Sequence, residues 1–561
     1  MQFNFHKAYQ LTLLFFTIIG MHVVTFMPRG SGLYVSSNMI GWGVVSLLIS
    51  YGFWYVYKNK AITYSKLSLY VVSGVLLLIL PVTYSNSSLD NFLPRLIALI
   101  AGVLFLFSLY QCKFGLTDRV KILNIFLIGI LIEGILGFLQ FFVFNFLEWD
   151  FGYYDLLNLR PSGVFRQPNI MASFMASGIV ISLFLLYKEI NNLNKKILYI
   201  YYSVLFICST ILLILQSKTG YLGLLLSLLL LIPVIFKHFN RVKVGIIFIL
   251  LGLIWGIISL NIIKGVERGE KLYTDGGIRL DIINVGFDIF EKSPLLGHGY
   301  GNFERVYRSA HIKKMKTEES LGEPLENLHH PHNEILFWGI EGGIVALFGL
   351  LILIIGFIQI FPRNMLRENS ALLSLLVPIL LHTQFEYPFY TSLIHLLLFI
   401  TLIWYIDESL NNSREKNIGK NEATKYIGIL IPILVIPFMV SGLHTMKSMS
   451  DFHESKYKDV QYLLNVKNDL IWHDYISRIY QNIYFNKGMK TGDVDSLTSY
   501  IVWGLNYVET KPRVKIYDNM IKSIQLIESK GNEYNYETKV KIFTDAKLMY
   551  PKVFTYKIVK G

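Results

Sequence analysis

The chain has 561 residues, of which 53% are hydrophobic and only 16% charged, against roughly a quarter charged in an ordinary soluble domain. A string of soluble domains and a disordered chain are both excluded, because this much apolar surface must be buried in something. The net charge of +13 is a poor indication of nucleic-acid binding, since in a membrane protein such an excess sits in cytoplasmic loops and sets orientation. Thirteen apolar runs of about membrane length follow in chain order, at roughly 9–27, 38–57, 66–84, 95–112, 121–146, 168–187, 197–216, 219–236, 243–263, 334–361, 369–386, 388–406 and 425–446. The first starts near Leu11 after one lysine and has no small-residue cleavage pattern, so it reads as a retained helix and not a signal peptide. The pair 369–386 and 388–406 is short and is joined by Glu386-Tyr387-Pro388. The two cysteines, Cys112 and Cys208, lie far apart in or beside apolar runs and make neither a disulfide framework nor a metal cluster.

Charge orients the spans. With the N-terminus in the cytoplasm, the inside segments carry 19 basic residues, and the short outside segments carry five: Arg29, Arg95, Arg160, Arg166 and Lys218. Long translocated loops do not count in this comparison. The pattern predicts an all-α polytopic membrane protein with a transmembrane domain over 1–446. Its long outer loop runs over 264–333, between the ninth and tenth spans. Thirteen crossings also leave the tail from 447 to 561 outside. From Asp451 that tail has 17 Lys and Arg against 13 Asp and Glu, with apolar residues at helical spacing over Leu497–Tyr507 and Tyr517–Ser529. It reads as a small helical domain.

Four polar places on the outer side are not explained by apolar burial. In Arg160-Pro-Ser-Gly-Val-Phe-Arg-Gln-Pro-Asn169, two prolines and a glycine fix a turn that holds two arginines and two amides. An arginine fork suits a phosphate, although an interfacial anchor is the alternative. In the short turn Gln216-Ser-Lys-Thr-Gly220, Lys218 reaches a phosphate or caps the end of the seventh helix. Glu326-Asn-Leu-His-His-Pro-His-Asn-Glu334 ends the long loop with three histidines in four positions, His329, His330 and His332. A His-x-His pattern can bind metal, but no cysteine is at hand and the carboxylates are not at zincin spacing. A histidine beside an asparagine at the mouth of a helix also suits general-base work near neutral pH, and a polar turn that starts a helix is the plain alternative. In His382-Thr-Gln-Phe-Glu-Tyr-Pro388, His382 and Glu386 share one helix face. They orient a base or an arginine, or they are a buried polar pair that holds helices together. All four places fall on one side of the membrane, which points to one outer-face site for an anionic, membrane-borne substrate.

These residues resemble the bacterial oligosaccharyltransferase, O-antigen ligase and Wzy polymerase superfamily. The resemblance rests on Arg160-Pro-Ser-Gly-x-Phe-x-Gln-Pro-Asn169, Pro294-Leu-Leu-Gly-His-Gly-Tyr-Gly301, His330-Pro-His-Asn-Glu334 with Gly339 and Gly342-Gly343, and His382-x-x-x-Glu-Tyr-Pro388. Within the superfamily, the Gln-Pro-Asn and Glu-Tyr-Pro elements resemble the PglL-like protein O-oligosaccharyltransferases. The resemblance implies a C-type glycosyltransferase-like bundle and a metal-independent, inverting enzyme without a cofactor. It implies a bacterial inner-membrane location with the active site on the periplasmic face. The donor would be an undecaprenyl-diphosphate-linked oligosaccharide and the acceptor a serine or threonine of a periplasmic or pilin-like protein. By the same resemblance His332 is the catalytic base, and Arg160, Arg166, Lys218 and Arg279 bind the donor diphosphate. Gln167, Asn169, His330, Asn333, Glu334, His382 and Glu386 support them, and the Pro294–Gly301 motif shapes the loop. The family often has arginine where this chain has Lys218, and lysine lacks the bidentate fork. An O-antigen ligase with a lipid A core acceptor, an O-antigen polymerase, and, from another class, a polysaccharide or lipid transporter are the alternatives.

Overall fold

A computed structural model describes residues 5–23, 31–144, 146–147, 160–189, 194–263, 271–318 and 320–555. Arg29, the start of the long loop at 264–270 and the last six residues, all used in the sequence reading, lie outside them. In chain order the elements are α1 (Phe5–Ile18), α2 (Ser36–Asn59), β1 (Ala61–Tyr64), α3 (Lys66–Ile79), α4 (Leu89–Gln111), α5 (Leu116–Leu139), α6 (Pro168–Glu189), α7 (Lys195–Leu215), α8 (Lys218–Lys237), α9 (Phe239–Ile262), α10 (Lys271–Lys292), α11 (Phe303–Met315) and α12 (Glu334–Ile358). They continue with α13 (Leu366–Ser374), α14 (Val377–Thr383), α15 (Pro388–Thr391), α16 (Leu393–Ser409), β2 (Arg414–Asn417), α17 (Glu422–Glu454), α18 (Gln461–Leu464), α19 (Asp469–Thr491), α20 (Val494–Val508), α21 (Val514–Ser529) and α22 (Tyr536–Met549).

Among the described residues, ten helices are long and apolar enough to cross a membrane. The chain is an all-α polytopic membrane protein, as its composition predicts. The other three apolar runs take different forms. α1 has 14 residues, and its run continues into residues outside the description. The run 369–386 divides into α13 and α14, with Pro378 in the first turn of α14. Proline lacks an N–H and restricts the residue before it, so a helix restarts there more readily than it continues. α16, from the run 388–406, is 17 residues long and begins after the Pro388 turn.

The chain forms two compact units: Met1–Gly74, Ala98–Leu272 and Leu351–Ile471 in the first, and Val75–Ile97, Tyr273–Leu350 and Trp472–Gly561 in the second. In the first unit α6 is central. It has no charged residue between Pro168 and Lys188, is almost wholly buried, and packs against α5, α7, α8 and α14. Its Ser173, Ala176, Ser177 and Gly178 let neighbouring helices approach closely. α9 and α17 bury the least of their apolar surface, which leaves them faces suited to lipid. β1 and β2 pair antiparallel, with Ala61 opposite Asn417 and Tyr64 opposite Arg414, and tie two loops distant in sequence.

In the second unit the C-terminal helices α20 to α22 close a core around Leu497, Tyr500, Tyr517, Met520, Ile524 and Ile542. α11 docks on α22 through charge. Arg305 donates to both oxygens of Asp545 at 2.6 and 3.0 Å. Arg308 donates to the Met549 carbonyl at 2.9 Å and lies over the Tyr550 ring. α12 is interrupted at Gly343, whose φ of +66° and ψ of −160° leave the helical region. The Pro294–Gly301 loop fills the break. The N–H groups of His298 and Gly299 donate to the carbonyls of Ile340 and Glu341, and the N–H of Ile344 donates to Pro294.

Candidate active site

In the first unit the turn from Arg160 to Asn169 is built against buried polar groups of α5. Gln140 accepts from the N–H groups of Ser162 (3.1 Å) and Gly163 (2.8 Å) and donates to the Gly163 carbonyl. Glu133 accepts from the Val164 N–H at 2.8 Å. Gly163 has φ +56°, and a Cβ there would meet Glu133 Oε1 at 1.5 Å, so only glycine fits this approach. Arg166 follows in the left-handed region, at φ +58°, half-buried.

Arg160 reaches the turn between α7 and α8. Its Nε donates to the Leu215 carbonyl at 2.8 Å, and one terminal nitrogen donates to the same oxygen. The guanidinium thereby tends the carboxyl end of α7, where a cation is favoured. Gln216 takes the left-handed cap position and Ser217 Oγ caps α8 by accepting from Gly220 N–H. Lys218 is the first residue of α8 and is exposed.

Glu386 joins the second motif to this turn. Its carboxylate accepts from Gln167 Nε2 at 2.5 Å and from Asn169 Nδ2 at 2.6 Å, with His382 Nε2 at 3.4 Å. Beyond it a buried chain runs from His382 Nδ1 to Ser173 Oγ (2.7 Å), to His395 Nε2 (3.2 Å), and from His395 Nδ1 to Ser392 Oγ (2.8 Å). The pair does bind α6 to α14, and it also holds the side chains of the Gln-Pro-Asn element.

The histidine loop belongs to the second unit. His330 is buried, its Nδ1 accepts from the backbone N–H of His332 at 2.9 Å, and its Nε2 faces Glu334 at 3.2 Å. These partners assign the ring proton to Nε2. Glu334 also accepts from the Trp338 indole at 2.8 Å, and Asn333 caps α12 by accepting from the Leu336 N–H. His332 is therefore held by its own backbone at φ +59°, a conformation in which histidine is tolerated and local strain is stored, and the residue is half-buried, with its Nδ1 out of reach of solvent. Among the described residues, no three His, Cys, Asp or Glu side chains gather in a way that could hold a metal ion.

Two further ion pairs stand in this unit. Arg95 pairs with the buried carboxylate of Glu341 and is enclosed by the rings of Phe92, Tyr300, Phe337 and Trp338 at 4.5–5.0 Å. Glu341 in turn accepts from the N–H groups of Gly301 and Phe303. Glu304 of α11 is bound by His329 (2.9 Å) and Arg513. Burial pulls the Glu304 carboxyl upward, but the hydrogen bonds and charges of His329 and Arg513 outweigh it and hold it below the ordinary range.

Of the residues singled out from the sequence, Arg160, Arg166, Gln167, Asn169, Lys218, His382 and Glu386 lie in the first unit. His330, His332, Asn333, Glu334 and Arg279, the last half-exposed on α10, lie in the second. Glu133, Gln140, Glu304, Glu341 and Arg513 were not picked out. Glu133 carried a signal, as the one acidic residue inside the fifth apolar run.

Two family models match the chain. Residues 203–351 match the one described as O-antigen ligase, and residues 370–531 match the one described as virulence factor membrane-bound polymerase, C-terminal. No curated protein matches it. The histidine loop and Gly343 fall in the first matched segment, and Glu386 and Arg513 fall in the second. Together the matches support the O-antigen ligase and Wzy polymerase superfamily.

Proposed function

We propose that the chain is a membrane glycosyltransferase of this superfamily that moves an oligosaccharide from undecaprenyl-diphosphate to a serine or threonine of a periplasmic or pilin-like protein. The observation that carries the reading is the histidine loop. His330, fixed by Glu334, holds the backbone of His332 so that a second imidazole, half-buried, stands just before α12. An imidazole so held suits a general base. His332 takes the proton of the acceptor hydroxyl, and the oxygen attacks the anomeric carbon. The bond from that carbon to the diphosphate oxygen breaks, and the leaving group departs as the diphosphate anion. One displacement inverts the anomeric centre.

Arg160, Arg166 and Lys218, with Arg279, bind the diphosphate and stabilise the charge it gains on leaving. The cationic turn at the head of α8 supports this role for Arg160 and Lys218. Arg160 is a helix-end residue as well, so its substitution affects both the turn and the donor. The reaction uses no cofactor or metal, runs at the periplasmic face of the inner membrane, and occupies the domain 1–446. The protein acceptor is supported by the Gln-Pro-Asn and Glu-Tyr-Pro elements, which form one hydrogen-bonded cluster on Glu386.

A second reading, O-antigen ligase or polymerase, is favoured by the descriptions of the two matching families. Purified protein, a lipid-linked glycan and a candidate pilin separate the two: a mass increase on a serine peptide supports the protein acceptor, and transfer only to lipid A core or to another glycan replaces it. His332→Ala should abolish transfer while the protein still inserts. Near-normal transfer by that variant removes His332 from the reaction.

A further inference from the structure

The C-terminal helices have no part in the chemistry just proposed, yet one of their arginines lies one carboxylate away from the histidine loop. Arg513 stands between α20 and α21 and binds both oxygens of Glu304, through Nη1 to Oε1 and through Nη2 to Oε2 at 3.1 Å. The other side of the same Oε2 faces His329 Nδ1 at 2.9 Å. Glu304 is only 8% exposed, whereas His329 is largely exposed. A buried carboxylate shared by an arginine and an imidazole is expensive to leave half-paired, so the three groups hold as a unit. His329 is the residue before His330, which fixes the backbone of His332.

We infer that Glu304 is a positioning residue for the histidine loop, and that through Arg513 on one side and His329 on the other it makes the placement of His332 depend on the C-terminal helices. The neighbouring contacts give the clamp a rigid base. Arg305 and Arg308, on the same helix as Glu304, are anchored to Asp545 and Met549 of α22. α11 and the C-terminal core thus move as one body, and the loop is attached to it at His329. Displacement of a general base by about 1 Å lowers turnover on the order of a hundredfold, so this attachment bears on rate without touching substrate. The inference rests on the preceding function only for what His332 does. The attachment itself needs no substrate to be tested.

The test is hydrogen–deuterium exchange of the peptide Leu328–Asn333 in the full chain in lipid nanodiscs, for wild type, Arg513→Gln, His329→Gln and the double variant. Arg513→Gln should speed exchange about tenfold when His329 is present and less than about twofold when position 329 is already Gln. Equal acceleration in both backgrounds, or none in either, overturns the inference. His329→Gln alters only a largely exposed side chain, so the cycle does not depend on a variant that fails to fold. In the transfer assay, Glu304→Gln should lower kcat with donor KM within about twofold, and Glu304→Asp should restore part of it. A defect confined to KM also overturns it. If no glycan is transferred by any variant, the proposed function fails, and the exchange cycle still decides the clamp.

Discussion

Gly163 offers a quantitative test of the arginine turn. An alanine Cβ at that position would stand 1.5 Å from Glu133 Oε1, at a backbone φ of +56°. The left-handed conformation costs a residue with a Cβ about 1–2 kcal/mol. Clearing the clash moves the Glu133 carboxylate off the Val164 N–H, a charge-assisted bond worth about 1.5–3 kcal/mol. Gly163→Ala should therefore disfavour the native turn by about 3 kcal/mol, a factor of roughly one hundred. If Arg160 and Arg166 bind the donor from this turn, donor KM in a lipid-linked glycan transfer assay should rise toward that factor. The kcat at saturating donor should change by no more than a few-fold. In a Glu133→Ala background the clash is absent, and the same substitution should cost only the conformational part, about tenfold in KM. An unchanged donor KM, or the same loss with and without the Glu133 side chain, refutes the reasoning.

Other perturbations follow from the same geometry. Glu386→Leu removes the acceptor of the Gln167 and Asn169 amides, and should lower stability by about 3 kcal/mol and weaken donor use, while Glu386→Gln keeps one acceptor and should lose less; thermal unfolding in detergent and donor KM check both. Gly343→Ala would set a Cβ 2.4 Å from the Leu295 carbonyl oxygen, at a backbone conformation costing about 1–3 kcal/mol for a residue with a side chain, and should lower the unfolding temperature more than Gly322→Ala, a site with open space around it. Glu304 titrates below its unfolded value, so its contribution to docking of the C-terminal helices is complete above about pH 4.3 and is lost as the pH falls through the lowered value. Unfolding followed between pH 3 and 6 should show an acid loss that Glu304→Gln reduces.

The membrane fold was legible because a span needs a long apolar run, and composition alone exposes such runs. The division of 369–386 was less so, since the restart around Pro378 depends on backbone geometry and the hydropathy stays high across it. Motifs near one another in sequence, such as Arg160–Asn169, announced themselves by proline, glycine and charge. Their supports did not, because Glu133 and Gln140 meet the turn from 22 to 31 positions away in the chain, and the partners of Glu304 stand 25 positions away at His329 and 209 away at Arg513. Arg95 was counted from the sequence as a basic residue of a short outside segment. It lies inside α4, against Glu341, and the only hint of its enclosure was the aromatics scattered through distant segments. Pairings of that kind are set by tertiary packing, which periodicity does not encode.

The interruption of α12 has a consequence for variation in this protein. Surface loops usually absorb insertions and deletions at little cost, because their ends alone are fixed. The Pro294–Gly301 segment is fixed inside its length: consecutive N–H groups at His298 and Gly299 meet consecutive carbonyls at Ile340 and Glu341, and the Pro294 carbonyl meets Ile344. One residue more or fewer between 294 and 299 would bring the wrong donors to the break and leave helix carbonyls unmet. Gly297, Gly299 and Gly301 admit no side chain either, since an added Cβ would stand 2.3–2.7 Å from neighbouring atoms, and the number of residues is fixed, so this stretch of the chain keeps count as a strand in a sheet does.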